Sequence, residues 1–186
     1  MLNKEQIRRE YLQRRKEIVA GKQAELALSI FKHNINIKKT DIVSGYIPIN
    51  NEISPIPIMQ YCANLEIATC LSVLVEKSAP LAFRSWEIGE ELHNNPFLNL
   101  QEPSAGAKEA LPTIVIVPLV AFDKDCNRVG YGGGYYDRTI NAFKNNNHKI
   151  TTVGIAYDEQ LFEQISGDEN DQRLDHIVTP SAIYSS

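Results

Sequence analysis

Hydrophobic and polar positions along the chain follow two kinds of pattern, which together predict an ordered series of helices and strands. Short apolar runs bounded by polar turns predict strands at 42–47, within 65–75, and at 81–86, 113–117, 150–157 and 177–179. Amphipathic segments predict helices at 3–19, at 23–33, from 54 onward, from 135 to the asparagine cluster at 145–147, and at 158–165. Because strands and helices alternate, we expect an α/β fold. It is predicted to be a single three-layer domain over residues 1–186, with a mostly parallel sheet and helices on both faces.

The segment from 113 to 138 is the most informative part of the chain. The β-branched run at 113–117 predicts a strand buried on both faces, and a polar turn at 123–127 follows it. After Arg128 come four glycines in five positions: Gly130, Gly132, Gly133 and Gly134. Glycine allows the backbone to approach a ligand, and the helix predicted after Gly134 adds unpaired N–H donors. The sequence therefore predicts a phosphate-binding loop, with Arg128 as a guanidinium donor to phosphate oxygens.

This glycine loop differs from the two common phosphate motifs. Gly134 is followed by Tyr135 and Tyr136, not by the Lys-Ser/Thr of a Walker loop or the third glycine of a dinucleotide fingerprint. A glycine-rich hairpin is the alternative interpretation, although a hairpin needs only one or two glycines. Asp137 lies in the first predicted helical turn, where the helix dipole favours a carboxylate. Beside a bound phosphate that carboxylate requires a cation such as Mg²⁺, so the loop predicts a magnesium–nucleotide site.

Two further candidates come from the N-terminal half of the chain. Arg9 and Arg14 each follow a glutamate by four residues, whereas Lys4 and Arg8 lie four apart without such an acid. This pair indicates either an anion site or a solvated cationic face. Glu52 lies after the strand at 42–47 and before a helix, at the sheet edge where open α/β folds bind ligands. An exposed loop acid is the alternative interpretation for Glu52.

Composition narrows the class of protein. Hydrophobic residues make up 43% of the chain and charged residues 23%, which is typical of globular proteins. The net charge of -4 argues against broad nucleic-acid binding. The apolar run at 113–122 is too short to span a bilayer, and the three cysteines lack metal-binding or disulfide spacing. The polar N-terminus does not resemble a signal peptide. We therefore expect a cytoplasmic protein that binds neither nucleic acid nor membrane.

The segments 118–123 (PLVAFD) and 128–138 (RVGYGGGYYDR) resemble the signature of the 5-formyltetrahydrofolate cyclo-ligase (methenyltetrahydrofolate synthetase) family. Two positions depart from that signature, Cys126 where glycine is usual and Val129 where leucine is usual. The resemblance implies a three-layer α/β fold. It also implies ATP-dependent conversion of 5-formyltetrahydrofolate to 5,10-methenyltetrahydrofolate, with release of ADP and phosphate. The substrate is expected with or without a polyglutamate tail, and the protein as a monomer or weak dimer.

The resemblance also assigns roles to individual residues. A family Lys-x-x-x-Arg element and the glycine loop contact ATP, which here implies Lys4, Arg8, Arg128, Val129, Gly130, Tyr131, Gly132, Gly133, Gly134, Tyr135 and Tyr136. The implied folate contacts are Ile47, Glu52, Tyr131 and Tyr135. Magnesium is expected on Asp137 and on an aspartate near the chain end, with Asp171 the best match and Asp175 the alternative. Residues 99–103 (NLQEP) resemble a Glu-Pro element of the family, within a segment at 87–110 that we expect to be a long loop.

Two other classes share some of these features. A regulatory nucleotide-binding module has the same phosphate loop but no turnover. An RNA-binding protein uses glycine, tyrosine and arginine side chains for base stacking, although the acidic balance of this chain argues against that use.

Overall fold

A computed structural model of the chain describes residues 2–98 and 100–186. Within these residues the helices are α1 (Lys4–Glu17), α2 (Gln23–Asn34), α3 (Ile56–Asn64) and α4 (Tyr135–Asn145). The strands of the N-terminal half are β1 (Ile42–Gly45), β2 (Ala68–Val73), β3 (Ala82–Ser85), β4 (Leu92–Asn94) and β5 (Gln101–Pro103). Those of the C-terminal half are β6 (Ile114–Pro118), β7 (Ala121–Phe122), β8 (Arg128–Val129), β9 (Thr151–Ile155), β10 (His176–Val178) and β11 (Ile183–Ser185). In this part of the chain no helix is long and apolar enough to cross a membrane.

Seven strands form a central sheet in the order β11-β10-β9-β6-β1-β2-β3. The inner pairs β2–β1, β1–β6, β6–β9 and β9–β10 are parallel, while β3 and β11 run antiparallel at the two edges. The prediction of a mostly parallel α/β sheet is confirmed. The antiparallel edges are the part that periodicity did not predict, since strand direction is set by pairing and not by the local pattern.

Strand β6 shows why the fold has three layers. Ile114 and Ile116 pack into a cluster with α2 and α3, represented by Phe31 and Ile58. Val115 and Val117 point to the other face and pack with α4. Side chains alternate across a strand, so a continuous β-branched run supplies a core to both faces.

Three segments differ from the sequence-based expectation. The segment at 87–110 is not a featureless loop, because β4 and β5 pair there as an antiparallel hairpin. The helix expected at 158–165 is only a 3₁₀ turn, Asp158–Gln160, in which the Gln160 amide donates to the carbonyls of Leu119 and Val120. Val19 lies beyond the end of α1 and is 82% exposed. The hairpin and the turn are fixed by tertiary contacts, so a local pattern could not reveal them.

A small hairpin, β7–β8, joins the central strand β6 to the glycine loop. Its turn is organised by Asp123, which is buried and accepts hydrogen bonds from the backbone N–H groups of Asp125, Asn127 and Ile165. Cys126 in this turn has a φ of 62°, in the left-handed region that favours glycine. The departure from the family signature at this position therefore carries local backbone strain.

Gly45, at the end of β1, allows helix α3 to pack closely against the sheet. A Cβ atom at Gly45 would lie 2.3 Å from Sδ of the buried Met59. We expect Gly45→Ala to lower the free energy of unfolding by about 1–3 kcal/mol, because the core must shift to accept the methyl group. Urea denaturation measures this loss. Gly106→Ala, whose nearest contact is Ser104 Oγ at 3.8 Å, is the control and should change stability by less than about 0.5 kcal/mol. Equal midpoints for the two variants would contradict the packing argument.

Candidate active site

A cavity of about 890 Å³ lies at the carboxyl ends of the parallel strands. Every residue that the sequence and the resemblance proposed for ATP, folate or Mg²⁺ lines it, apart from the alternative metal ligand: Lys4, Arg8, Ile47, Glu52, Arg128, Val129, Gly130, Tyr131, Gly132, Gly133, Gly134, Tyr135, Tyr136, Asp137 and Asp171. The geometry therefore brings together groups that are up to 167 positions apart in the chain.

The glycine loop adopts backbone conformations that favour glycine at two positions. Gly132 has a φ of 97°, and Gly134, the residue before α4, has a φ of 64°. Within the described residues no side chain caps the N-terminus of α4. Its first N–H groups are therefore left to water or to a ligand, as in helix termini that bind anions.

Two of the candidate cations come from α1. Arg8 Nε donates to the Gly130 carbonyl at 2.7 Å, and its guanidinium lies beside Gly132, where an added Cβ would be 3.4 Å from Cζ. Lys4 Nζ lies 2.8 Å from Asp168 and also pairs with Asp171. Burial lowers the pKa of Lys4, but the hydrogen bonds and charges of the two aspartates outweigh burial and raise it. Lys4 thus has acidic partners that no local helix pattern could show.

The third cation, Arg128, forms a largely buried ion pair. Its Nη2 lies 2.7 Å from Asp137 Oδ1, and the side chains are 6% and 26% exposed, respectively. Nη1 of Arg128 donates to the Gln172 carbonyl, and the Gln172 N–H donates to Asp137 Oδ1 at 3.0 Å. Burial lowers the pKa of Arg128, and Asp137 opposes that shift. The pair fixes β8, α4 and the segment around Gln172 to one another.

Of the three candidate metal ligands, Asp137 and Asp171 line the cavity, whereas Asp175 has other partners. Asp175 Oδ2 accepts from the N–H and the hydroxyl of Thr152, both at 2.7 Å. Within the part of the chain that the structure describes, no group of three or more His, Cys, Asp or Glu side chains forms a ready metal cage. One or two carboxylates beside a phosphate-binding loop fit Mg²⁺ that shares its coordination with substrate phosphates.

The other side of the cavity is formed by the loop after β1. Glu52 is 8% exposed, and its Oε2 accepts from the Ile49 N–H at 2.8 Å. Burial raises the pKa of Glu52, and the Ile49 N–H, the charge of Arg15 and the Tyr131 hydroxyl act against burial. Ile47 packs against an apolar cluster that contains Met59 and Trp86. Glu52 is therefore a cavity carboxylate and not an exposed loop acid.

Two contributors to the cavity region were not identified from the sequence. Arg15 is 1% exposed and reaches Tyr131 from α1. Its position four residues after the buried Tyr11, with no acid four residues before it, is a signal that was available. The β4–β5 hairpin adds Glu102, which accepts from the Leu74 N–H and the Asn95 side chain. Glu102 belongs to the Glu-Pro element, of which Asn99 lies outside the described residues.

The chain was compared with protein families and known structures. A model of the 5-formyltetrahydrofolate cyclo-ligase family matches residues 1–180. The chain is 33% identical over 147 residues to 5-formyltetrahydrofolate cyclo-ligase of Escherichia coli K12, covering 76% of this chain and 79% of that protein. It is 30% identical over 183 residues to the Haemophilus influenzae enzyme of that name, covering 94% and 96%. The NMR structure of Aquifex aeolicus 5,10-methenyltetrahydrofolate synthetase superposes with a TM-score of 0.80 at 26% identity, covering 98% of this chain and 92% of that one.

The family match spans nearly the whole chain, and the residues that carry the signature line a single cavity. The relatives found by sequence are named 5-formyltetrahydrofolate cyclo-ligase, after the substrate. The relative found by structure is named 5,10-methenyltetrahydrofolate synthetase, after the product. The chain therefore belongs to the 5-formyltetrahydrofolate cyclo-ligase family of enzymes.

Proposed function

We propose that residues 1–186 act as one domain that converts 5-formyltetrahydrofolate to 5,10-methenyltetrahydrofolate at the expense of ATP. The observation that carries the proposal is one cavity with two chemically different sides. The glycine loop, Lys4, Arg8 and Arg128 form the ATP side, where Asp137 and Asp171 pair with Arg128 and Lys4. Glu52 and Ile47 form the folate side, which suits a flat polar ring system. A cavity with this division allows a phosphate donor and an acceptor molecule to meet.

The reaction divides into two steps. The oxygen of the N5-formyl group attacks the γ-phosphorus of ATP, the bond to the bridging oxygen breaks, and ADP leaves. N10 then attacks the formyl carbon, loses its proton, and expels phosphate that carries the former formyl oxygen. Phosphorylation is needed because hydroxide is a poor leaving group from an amide-like carbon. Neither step needs a nucleophilic side chain, so positioning and charge neutralisation are the main tasks of the protein.

The residues of the ATP side suit these tasks. The N–H groups of the glycine loop and of the first turn of α4 bind phosphate oxygens, and Arg8 and Arg128 add charge that balances the transferred phosphoryl group. Asp137 and Asp171 would hold Mg²⁺, which would supply positive charge against the negative charge of the phosphate oxygens. On the folate side, Glu52 accepts hydrogen bonds from ring nitrogens, and Tyr131 and Tyr135 line the pterin pocket.

Two of the ion pairs at the site support binding of ATP and magnesium as one unit. The pairs Lys4–Asp171 and Arg128–Asp137 each join a proposed phosphate ligand to a proposed metal ligand. If a metal–nucleotide complex binds here, Lys4 and Arg128 would gain phosphate oxygens as partners, and Asp137 and Asp171 would gain the positive charge of the metal. The cation and the carboxylate of each separated pair then both have a new partner. When ATP or magnesium binds alone, one member of each pair is left without a partner.

An absorbance assay for the methenyl product tests the proposal. We expect product and ADP in equal amounts only when 5-formyltetrahydrofolate, ATP and magnesium are all present. Omission of ATP or chelation of magnesium should abolish the signal. ATP binding without ADP formation on addition of 5-formyltetrahydrofolate would instead indicate a regulatory nucleotide-binding module. Binding of RNA without turnover would indicate an RNA-binding protein.

A further inference from the structure

Arg15 is a buried arginine without a carboxylate partner within 4 Å in the described part of the chain. Its donors are satisfied by neutral groups. Nε donates to the Asn50 carbonyl at 3.1 Å, Nη1 donates to the Leu119 carbonyl at 3.1 Å, and Nη2 donates to the Tyr131 hydroxyl. Burial of a guanidinium without a counter-ion is costly, and a hydrophobic residue at this helix position avoids the cost. The arginine therefore requires an explanation beyond packing.

The partners of Arg15 lie on both sides of the cavity. Asn50 belongs to the loop that carries Glu52, and Tyr131 belongs to the glycine loop. The Glu52 loop is also tied to α1 in the reverse direction, since Asn51 Nδ2 donates to the carbonyls of Arg15 and Ile18 at 2.6 and 3.0 Å. Asn50 and Asn51 have φ values of 49° and 59°, which are unfavourable unless the surroundings hold them. Arg15 thus connects the loop on the folate side to the glycine loop on the ATP side.

Arg15 also contributes to the electrostatic surroundings of Glu52. The charge of this carboxylate acts on four tyrosines from different elements: Tyr46 after β1, Tyr131 of the glycine loop, Tyr136 of α4 and Tyr157 after β9. Burial raises the pKa of all four phenols, that of Tyr131 to about 12, so they are neutral at physiological pH. Arg15 is the cation that acts on Glu52 within the described residues. The Tyr131 hydroxyl accepts from Arg15 and also acts to lower the pKa of Glu52.

We propose that Arg15 is a positioning residue for the reaction, which holds the Glu52 loop in register with Tyr131 of the glycine loop and keeps the Glu52 carboxylate charged for folate binding. The inference rests on the proposed function, because it takes Glu52 as the acceptor for the folate ring. It adds a residue that touches neither substrate and acts through the two groups that do.

The test measures binding of 5-formyltetrahydrofolate by calorimetry between pH 5 and 8, without ATP, so that turnover is not required. Folate affinity is present while Glu52 is ionised and is lost as the pH falls through its pKa. We call this loss of affinity at low pH the acidic limb of the binding profile. In Arg15→Gln the acidic limb should move to higher pH by about one unit, because a positive charge no longer favours the ionised form of Glu52. The matched control is Arg14→Gln, which removes an exposed arginine from the same helix and should leave the limb unchanged. Carboxyl groups of the ligand titrate equally in all variants.

Further variants separate positioning from general damage. Arg15→Lys keeps the charge but not the fork of donors, so we expect the wild-type acidic limb with kcat lowered about tenfold or more. Tyr131→Phe removes only the hydroxyl link and should also move the limb to higher pH, which provides a measurement if Arg15→Gln does not fold. In Glu52→Gln the additional Arg15→Gln change should produce no further shift.

The outcomes distinguish this inference from the proposed function. If wild-type protein binds 5-formyltetrahydrofolate but Arg15→Gln, or Tyr131→Phe in its place, has the acidic limb of the Arg14→Gln control, the role of Arg15 is wrong and the function stands. If wild-type protein does not bind 5-formyltetrahydrofolate at any pH, the function fails, and the inference fails with it.

Discussion

Arg128→Ala is expected to reduce ATP-dependent turnover by about 10³-fold or more, the effect of removing an arginine that stabilises a transferred phosphoryl group. The same change leaves Asp137 without its cation. We expect the free energy of unfolding to fall by about 3 kcal/mol, at the lower end for broken buried pairs, because Asp137 retains some contact with water. Initial rates of methenyl formation and urea denaturation measure the two effects.

A second substitution separates catalysis from stability in this prediction. In Arg128→Ala with Asp137→Ala no unpaired charge remains, so most of the lost stability should return while turnover remains absent. Arg173→Ala removes an exposed arginine close to the same segment and should retain both activity and stability. If the double variant recovered turnover along with stability, Arg128 would be a structural residue and not part of the phosphate site.

Gly132→Ala is expected to lower kcat/KM for ATP by about 100-fold, because a displaced loop donor no longer meets the phosphate. Gly132 has a φ of 97°, which an alanine adopts only with strain of about 1–3 kcal/mol. The loop will relax to relieve that strain, and the N–H groups around it will move. Steady-state kinetics with ATP as the varied substrate measure the loss.

Gly89 offers a control with nearly the same φ outside the cavity. Its φ is 99°, and a Cβ atom there would meet nothing within 4 Å. Gly89→Ala should therefore cost stability by an amount comparable with that of Gly132→Ala, but leave the kinetic constants for ATP unchanged. Equal kinetic constants for the two variants would show that the conformation of the glycine loop does not matter for ATP.

Much of the fold was predictable where a local signal exists. The capping box of Asn3 and Gln6 marks the start of α1, and both of its hydrogen bonds are present at 2.9 Å. The β-branched run of β6 is the buried central strand that its composition predicts. The edge strand β11 and the hairpin β4–β5 were not predicted, because short strands of mixed polarity are stabilised by their partners and not by periodicity.

The candidate site follows the same division. The glycine loop and Asp137 are contiguous, so their spacing alone indicates a phosphate-binding loop. From the helix pattern alone, Lys4 and Arg8 were equally consistent with a solvated face; the family resemblance favoured an ATP contact, and in the structure both line the cavity. Arg15 escaped notice because its partners are the Asn50 and Leu119 carbonyls and the Tyr131 hydroxyl, 35 to 116 positions away.

The sequence by itself determined the α/β alternation, the glycine loop and the family, since each depends on neighbouring residues and on a contiguous signature. Only the tertiary structure decided which charges face one another. In the structure Arg128 pairs with Asp137, and Lys4 pairs with Asp171. Asp175 accepts a hydrogen bond from Thr152, and Arg15 is buried between the two sides of the cavity. The physical reason is that electrostatic and hydrogen-bond partners are chosen by distance in space, which a parallel sheet sets by bringing the carboxyl ends of distant strands to one edge.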